Sequence, residues 1–275
     1  MKERKIGLAL GGGAARGLAH IGVLEILEKE GIPIDMIAGT SAGAAIGALF
    51  AQGKSTREMR ELVRSWDWKK RAQLIDPALP KSGFIAGKKI KKLLKSIIGD
   101  VRFDELKLPF ACVATDIMSG EEVIINQGSV LEAVRASISM PIIFTVVKWK
   151  GRYLVDGGLV DPVPVSVLKD MGADFIIAVN VTPRMSKAFQ RVYMEELKPE
   201  EAVKEPNIFN ILMKVIDIDS SHLVGWCLNG ADVVIEPRLA GIGLGDFGHA
   251  EQCILEGELA GIDSVLEIKR RLATA

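Results

Sequence analysis

The chain has no excess of either charge: lysine plus arginine and aspartate plus glutamate each total 35, so its 275 residues carry a formal net charge of +0 at pH 7. No global field draws it to nucleic acid, and neither a zinc-ligand spacing nor a basic-aromatic module is present, so nucleic acid is not an expected partner. Cysteine is scarce. Cys112, Cys227 and Cys253 are odd in number, far apart and set in apolar segments, which suits reduced core thiols in a cytoplasmic protein better than a disulfide framework. No uncharged apolar run reaches the ~18 residues of a membrane-crossing helix. Lys2, Arg4 and Lys5 ahead of Ile6 to Ala15 imitate a signal peptide, but the glycines inside that stretch argue against cleavage. No Pro-, Ser- or Gly-rich linker divides the chain, so residues 1–275 read as one domain. Asp76, Asp104, Asp116 and Asp217 lack companions at ligand spacing, and no metal is expected.

What the chain does contain is Gly39-Thr40-Ser41-Ala42-Gly43, placed where the apolar run Ile34, Met36, Ile37, Ala38 gives way to a helix-like stretch from Ala44 to Ala51. This is the sequence form of a nucleophile elbow. Glycines two before and two after the serine permit a tight strand-to-helix turn that lifts the hydroxyl clear of the sheet. Alone, G-x-S-x-G also arises by composition in Gly- and Ala-rich chains.

Upstream, Ile6-Gly7-Leu8-Ala9-Leu10 reads as a buried strand running into Gly11-Gly12-Gly13-Ala14-Ala15-Arg16-Gly17. A helix follows, with Leu18, Ile21, Leu24, Ile26 and Leu27 as its core face and Gly31 as its stop. Strand, glycine loop and helix start together aim backbone N–H groups at an anion. A Walker loop fails for want of Lys-Ser or Lys-Thr, and a dinucleotide fingerprint fails because Arg16 stands at its third glycine position. No cofactor is therefore expected. An oxyanion hole needs only unhindered backbone donors, which consecutive glycines provide, and a nearby cation would strengthen the field. The competing reading is a tight turn that uses glycine for its backbone freedom.

Asp156-Gly157-Gly158 follows the strand-like Arg152-Tyr153-Leu154-Val155. An acid at a strand end before two glycines can enter a site, although Asp-Gly is also an ordinary turn. A Ser-His-Asp hydrolase of the α/β type needs a histidine after the acid. The chain has only His20, His222 and His249. His20 lies within the first helix and reads as a polar helix residue. His222 and His249 could formally complete a triad, but neither has a motif around it.

The glycine loop Gly11 to Gly17, the elbow Gly39 to Gly43 and Asp156-Gly157-Gly158, in that order, closely resemble the patatin-like phospholipases. Ala136-Ser137-Ile138-Ser139-Met140-Pro141-Ile142-Ile143-Phe144 is similar to that family's Ala-Ser-x-x-x-Pro segment, and Ala19-His20-Ile21-Gly22-Val23-Leu24 to its bacterial first helix. The resemblance covers most of the chain. It implies a three-layer α/β/α fold with a mostly parallel central sheet. It also implies a Ser-Asp dyad in place of a triad, with Ser41 as nucleophile and Asp156 as base. The amides of Gly11, Gly12 and Gly13 would be the oxyanion donors, and Arg16 matches the family's cationic position in the loop. Gly39, Gly43, Gly157 and Gly158 support the two turns. Ala14 departs from the glycine of many bacterial members, and its methyl group could narrow the loop without removing an N–H. The implied substrate is a phospholipid or other fatty-acyl ester. The alternatives are a carboxylesterase or acyltransferase on a soluble ester, and a regulatory protein that keeps the fold with little turnover.

Along the rest of the chain, strands are expected at Pro109 to Thr115, Phe175 to Val181 and Val233 to Ile235, with a hairpin of Thr145 to Trp149 and Arg152 to Val155 delivering Asp156. Helices are expected at Ser129 to Ser137, Pro164 to Met171, Asn207 to Gly230 and His249 to Leu272. Lys81 to Lys95 is lysine-rich and free of acids, while Ile90, Leu93, Leu94, Ile97 and Ile98 keep helical spacing. Such a helix can lie on an anionic inner membrane surface as a peripheral contact, or present a solvated lysine face over the core. Thr182 to Pro206 reads as a long surface loop, with a mobile lid as the alternative.

Overall fold

A computed structural model describes residues 4–65, 87–183 and 208–274. Its centre is a sheet of strands β1 (Ile6–Leu10), β2 (Met36–Thr40), β3 (Phe110–Asp116), β4 (Glu122–Ile125), β5 (Val147–Trp149), β6 (Arg152–Asp156), β7 (Phe175–Val179) and β8 (Val233–Ile235). The order is β5-β6-β3-β2-β1-β7-β8, with β4 also on β3. Pairs β1–β2, β1–β7, β2–β3 and β7–β8 are parallel, whereas β4, β5 and β6 pair antiparallel. The sheet is mostly parallel, as expected.

Every residue of β1, β2, β3 and β7 is buried, which is why these strands read as continuous apolar runs rather than as alternations. The period of two then sends neighbours to opposite faces. Leu8, Leu10 and Ile37 join a core under helices α1 (Ala19–Lys29), α2 (Ala42–Ala51), α4 (Lys88–Ile98), α5 (Val130–Ser137) and α8 (Ala250–Ala273). Ala9, Met36 and Ala38 join a second core under α6 (Val165–Asp170) and α7 (Ile208–Cys227). Helices on both faces make the three-layer α/β/α architecture.

Most expected elements lie within a few residues of their observed limits. Ser129, expected as the first residue of a helix, instead caps α5 by accepting a hydrogen bond from the Glu132 amide at 3.4 Å. Two elements were not anticipated. Helix α3 (Thr56–Ser65) buries only Thr56 and Met59, and its narrow apolar stripe of Met59, Leu62 and Val63 sits in a mostly charged segment. Ion pairs hold it instead: Arg60 lies 2.9 Å from Glu25 and 2.5 Å from Glu258, and Arg64 lies 2.7 Å from Glu251. Strand β4 is short and half exposed, so it lacks the signal of a core strand.

Helix α4 turns its apolar side inward, with Leu94 and Ile98 buried and Ile90 and Ile97 packed on the core. Lys91 pairs with Glu132 and Lys95 with Asp100, so within 89–98 the lysines form a solvated face and the apolar side is already occupied. Residues 81–86 of that segment, Asp76, and residues 184–207 of the expected loop or lid lie outside the described residues. All three cysteines are free, and burial pushes the Cys112 thiol up. Among the described residues no helix is long and apolar enough to cross a membrane, and no group of three or more His, Cys, Asp or Glu side chains could hold a metal ion.

Candidate active site

Ser41 sits between β2 and α2 with φ 52 and ψ −116, a conformation that L-residues rarely adopt and that the surrounding packing must impose. The two flanking glycines make that packing possible. A Cβ on Gly43 would run into the backbone carbonyls of Leu10 and Gly11, and one on Gly39 into the Gly43 carbonyl and the Ala44 backbone. The Ser41 amide donates to Ser137 Oγ at 2.8 Å, and Thr40 Oγ1 donates to the Asp161 carbonyl at 2.8 Å.

Asp156 ends β6. In register Thr40 lies opposite Val113 and Asp156 opposite Ala114, one residue further along β3, so β3 sets the two side chains level. Ser41 Oγ donates to Asp156 Oδ2 at 2.6 Å, a short, charge-assisted hydrogen bond. Asp156 Oδ1 accepts from the Gly158 amide at 2.8 Å, and the Asp156 amide donates to the Ser139 carbonyl at 2.9 Å. Gly157 opens the short turn that presents Gly158, and its carbonyl accepts from the Val160 and Asp161 amides. Burial pushes the Asp156 carboxyl up to about 6, against the opposing hydrogen bonds from Ser41 and Gly158. Both residues are almost fully enclosed, yet both line a pocket with Met140, Pro141, Leu159, Ile216 and Leu244.

The glycine loop reaches the same pocket, but its amides divide differently from the sequence expectation. Gly11 N–H donates to Val179 O at 3.0 Å, which extends the β1–β7 pairing, and Gly12 N–H donates to Pro162 O at 2.9 Å. Those two donors are structural. Gly13 and Ala14 line the pocket, and among the described residues their amides have no acceptor. Ala14 itself has φ 47, so the departure from glycine carries backbone strain rather than a narrowed loop alone.

Arg16 also departs from expectation. Its guanidinium is buried and bidentate on Asp217, at 2.6 Å from Nη1 and 3.3 Å from Nη2, while Nε donates to the Ile242 carbonyl at 2.6 Å. A guanidinium removed from water requires such partners. Its charge is spent on holding α7 against the loop and is not free at the pocket.

His20, expected as a polar helix residue, does lie on α1 and is fully buried, with Nε2 2.8 Å from the Gly11 carbonyl. Since a carbonyl can only accept, Nε2 carries the proton. Burial lowers its pKa to about 4, so the ring is neutral at working pH. His222 and His249 are exposed, and the Asp156 carboxylate takes its hydrogen bonds from Ser41 and Gly158, not from a histidine. Ser137 and Asp217, which support the elbow and Arg16, were missed as site residues. Ser137 lies in the segment similar to the family's Ala-Ser-x-x-x-Pro stretch, whereas Asp217 carries no local signal.

The chain is similar to known proteins over much of its length. An uncharacterized NTE family protein of Mycobacterium tuberculosis is 37% identical over 177 residues, which cover 64% of this chain and 49% of that protein. Neuropathy target esterase sws of Drosophila melanogaster is 37% identical over 183 residues, covering 64% of this chain and 13% of that protein. Lysophospholipase NTE1 of Debaryomyces hansenii is 34% identical over 189 residues, covering 66% and 12%. The chain thus spans about half the length of the mycobacterial relative and much less of the others. Among solved structures, VipD from Legionella pneumophila shares the fold, with a TM-score of 0.64 at 13% identity over 96% of this chain and 67% of that one. The family model for patatin-like phospholipases matches residues 8–169, and the chain belongs to that family.

Proposed function

We propose that the protein is a serine lipid acyl hydrolase that cleaves fatty-acyl esters of phospholipids or lysophospholipids through a Ser41–Asp156 dyad. The observation that carries the reading is the 2.6 Å hydrogen bond from Ser41 Oγ to a buried carboxylate whose pKa is pushed up to about 6. A carboxylate is a weak base for a hydroxyl, and burial makes it a better one near neutral pH. Family membership and relatives named as an esterase and a lysophospholipase support the class of substrate.

Asp156 accepts the Ser41 proton as Oγ forms its bond to the ester carbonyl carbon, and the carbonyl electrons move onto oxygen. The free amides of Gly13 and Ala14 stabilise that oxyanion. Collapse expels the alcohol, which takes the proton from Asp156, and leaves an acyl-serine. Water, deprotonated by Asp156, then attacks the acyl carbon, and collapse breaks its bond to Ser41 Oγ, which regains the proton from Asp156 as the fatty acid leaves. Gly11 and Gly12 shape the loop, and Arg16 positions it through Asp217. The apolar pocket wall of Met140, Pro141, Leu159, Ile216 and Leu244 suits an acyl chain.

Intact-protein mass spectrometry after exposure to a fluorophosphonate tests the reading. One adduct, located on Ser41 and absent from Ser41→Ala and Asp156→Asn, is the expected result. No adduct, or one retained in full by Asp156→Asn, would overturn the dyad.

A further inference from the structure

The pocket opens at the carboxyl end of the parallel strands, because Ser41 follows β2 and Gly13 follows β1. Large apolar side chains stand exposed at that same end. The β3–β4 turn carries Ile117, 46% exposed, and Met118, 78% exposed. Tyr153, 43% exposed, adjoins them, since the Ile117 amide donates to the Tyr153 carbonyl at 2.9 Å. Ile142 is exposed two residues beyond the pocket-lining Met140. On α7, Ile211 and Val215 are exposed within about a turn and a half of Ile216, which lines the pocket.

This rim is held in shape rather than loosely extended. Met118 N–H donates to Asp116 Oδ1 at 3.0 Å and Gly120 N–H to Asp116 O at 2.8 Å, closing the turn. Apolar side chains held out in water by a preorganised turn are stabilised when a partner covers them. The charges beside it indicate which partner. Lys148 stands opposite Tyr153 in the β5–β6 register, and Lys150 occupies the tip of that hairpin; both are exposed, and neither has an ion pair among the described residues. The neighbouring acids Asp116 and Glu121 are engaged by Arg152, at 3.4 Å and 2.7 Å. Exposed apolar tips flanked by lysines that have no ion pair among the described residues match an anionic lipid surface, where the side chains enter the acyl boundary and the ammonium groups meet the head groups.

We infer that the protein docks on an anionic bilayer through this rim, with Ile117, Met118 and Tyr153 as its apolar contact and Lys148 and Lys150 as its charged one, so that the pocket faces the lipid. The choice of a bilayer over another apolar partner rests on the lipid-hydrolase reading. The basic helix α4, whose apolar side is already buried, is not the docking element.

Co-sedimentation of the full chain with vesicles tests the inference, using phosphatidylcholine alone and phosphatidylcholine mixed with phosphatidylglycerol. The expected result is binding to the mixed vesicles that drops roughly tenfold or more in Ile117→Ser/Met118→Ser and in Lys148→Glu/Lys150→Glu. Val215→Ser probes the rim from a second element. Turnover of a short-chain soluble ester is expected to stay unchanged in these variants while turnover of vesicle lipid falls. Undiminished binding by the rim variants, loss of binding on Lys91→Glu/Lys92→Glu in α4 instead, or a change of oligomeric state in the rim variants with no change in vesicle binding would each overturn it. Failure of the hydrolase reading is separately visible: rim-dependent vesicle binding by a protein that neither turns over esters nor takes a fluorophosphonate adduct would leave the docking surface standing.

Discussion

Ser41 Oγ and Asp156 Oδ2 lie 2.6 Å apart although 115 residues separate them in the chain, and no histidine intervenes. The contact depends on β3, whose residues Val113 and Ala114 register with Thr40 and Asp156 in turn. It also depends on the segment after α5, where Ser137 Oγ accepts from the Ser41 amide and the Ser139 carbonyl accepts from the Asp156 amide. One short stretch thus holds both groups by their backbones.

Activity will rise with pH through a single ionisation near 6, the value to which burial raises Asp156, and will level off above it. The Ser41 hydroxyl opposes that rise, so Ser41→Ala is expected to move the carboxyl further up. Carbon-detected NMR titration of the Asp156 carboxyl reads the shift, and the pH profile of soluble-ester turnover reads the rate. A base ionising near 7 with an NMR-silent Asp156 would point to a different group.

Burial of the Asp156 carboxyl carries a cost in stability once it ionises. Its folded pKa lies above the ordinary 3.8, so its stabilising contribution is full at low pH and is lost as pH rises through about 6. Asp156→Asn should therefore unfold later than wild type at pH 8, by about 2–3 kcal/mol, with the gap closing below pH ~4. Denaturant unfolding across that pH range measures it. The same variant is expected to lose at least about a hundredfold in turnover.

Ser137→Ala removes the acceptor of the Ser41 amide without touching either reacting side chain. The elbow then keeps its positive φ with one support fewer. We expect kcat for a soluble ester to fall roughly tenfold with KM little changed, and stability to fall by about 1 kcal/mol. Ser137→Thr, which restores a hydroxyl, should recover part of kcat. Steady-state kinetics on the two variants separates misplacement of Ser41 from general destabilisation.

Arg16 and Asp217 are a buried pair whose members are unequal to their absence. Arg16→Met leaves the Asp217 carboxylate, 15% exposed, with Lys214 at 3.8 Å as its remaining cation among the described residues, and Asp217→Asn leaves the Arg16 guanidinium, 7% exposed, without its carboxylate. Each single variant is expected to cost about 2–4 kcal/mol. The double variant should cost clearly less than the sum, because it leaves no orphaned charge. A double-mutant cycle by urea unfolding gives the coupling, and additive losses would show that the pair does not hold α7 to the loop.

The local parts of this protein were legible in its residues. Apolar runs marked β1, β2, β3 and β7 because a parallel strand covered on both faces has no solvent side to alternate with. The glycine spacing around Ser41 marked the elbow because the close approach of Gly43 to the Leu10 and Gly11 carbonyls leaves no room for a Cβ. Legibility ended where a group's partner lies far along the chain. The Gly11 and Gly12 amides looked available as oxyanion donors until Val179 and Pro162 were seen to take them. Arg16 looked like a free cation until Asp217, 201 residues away, neutralised it. His20 read only as a polar helix residue, and its burial and its bond to the Gly11 carbonyl appear only with α1 placed against the loop.

Backbone conformation and the period of burial are dictated within a few residues, so the fully buried strands β1, β2, β3 and β7, the elbow and the glycine loop were determined by the sequence itself. Hydrogen bonds and ion pairs are settled by whichever donor, acceptor or charge the packed elements bring within about 3 Å. Which amides remain free to meet an oxyanion, which charge is spent, and which apolar side chains stay exposed beside the pocket were therefore decided only when the sheet was assembled.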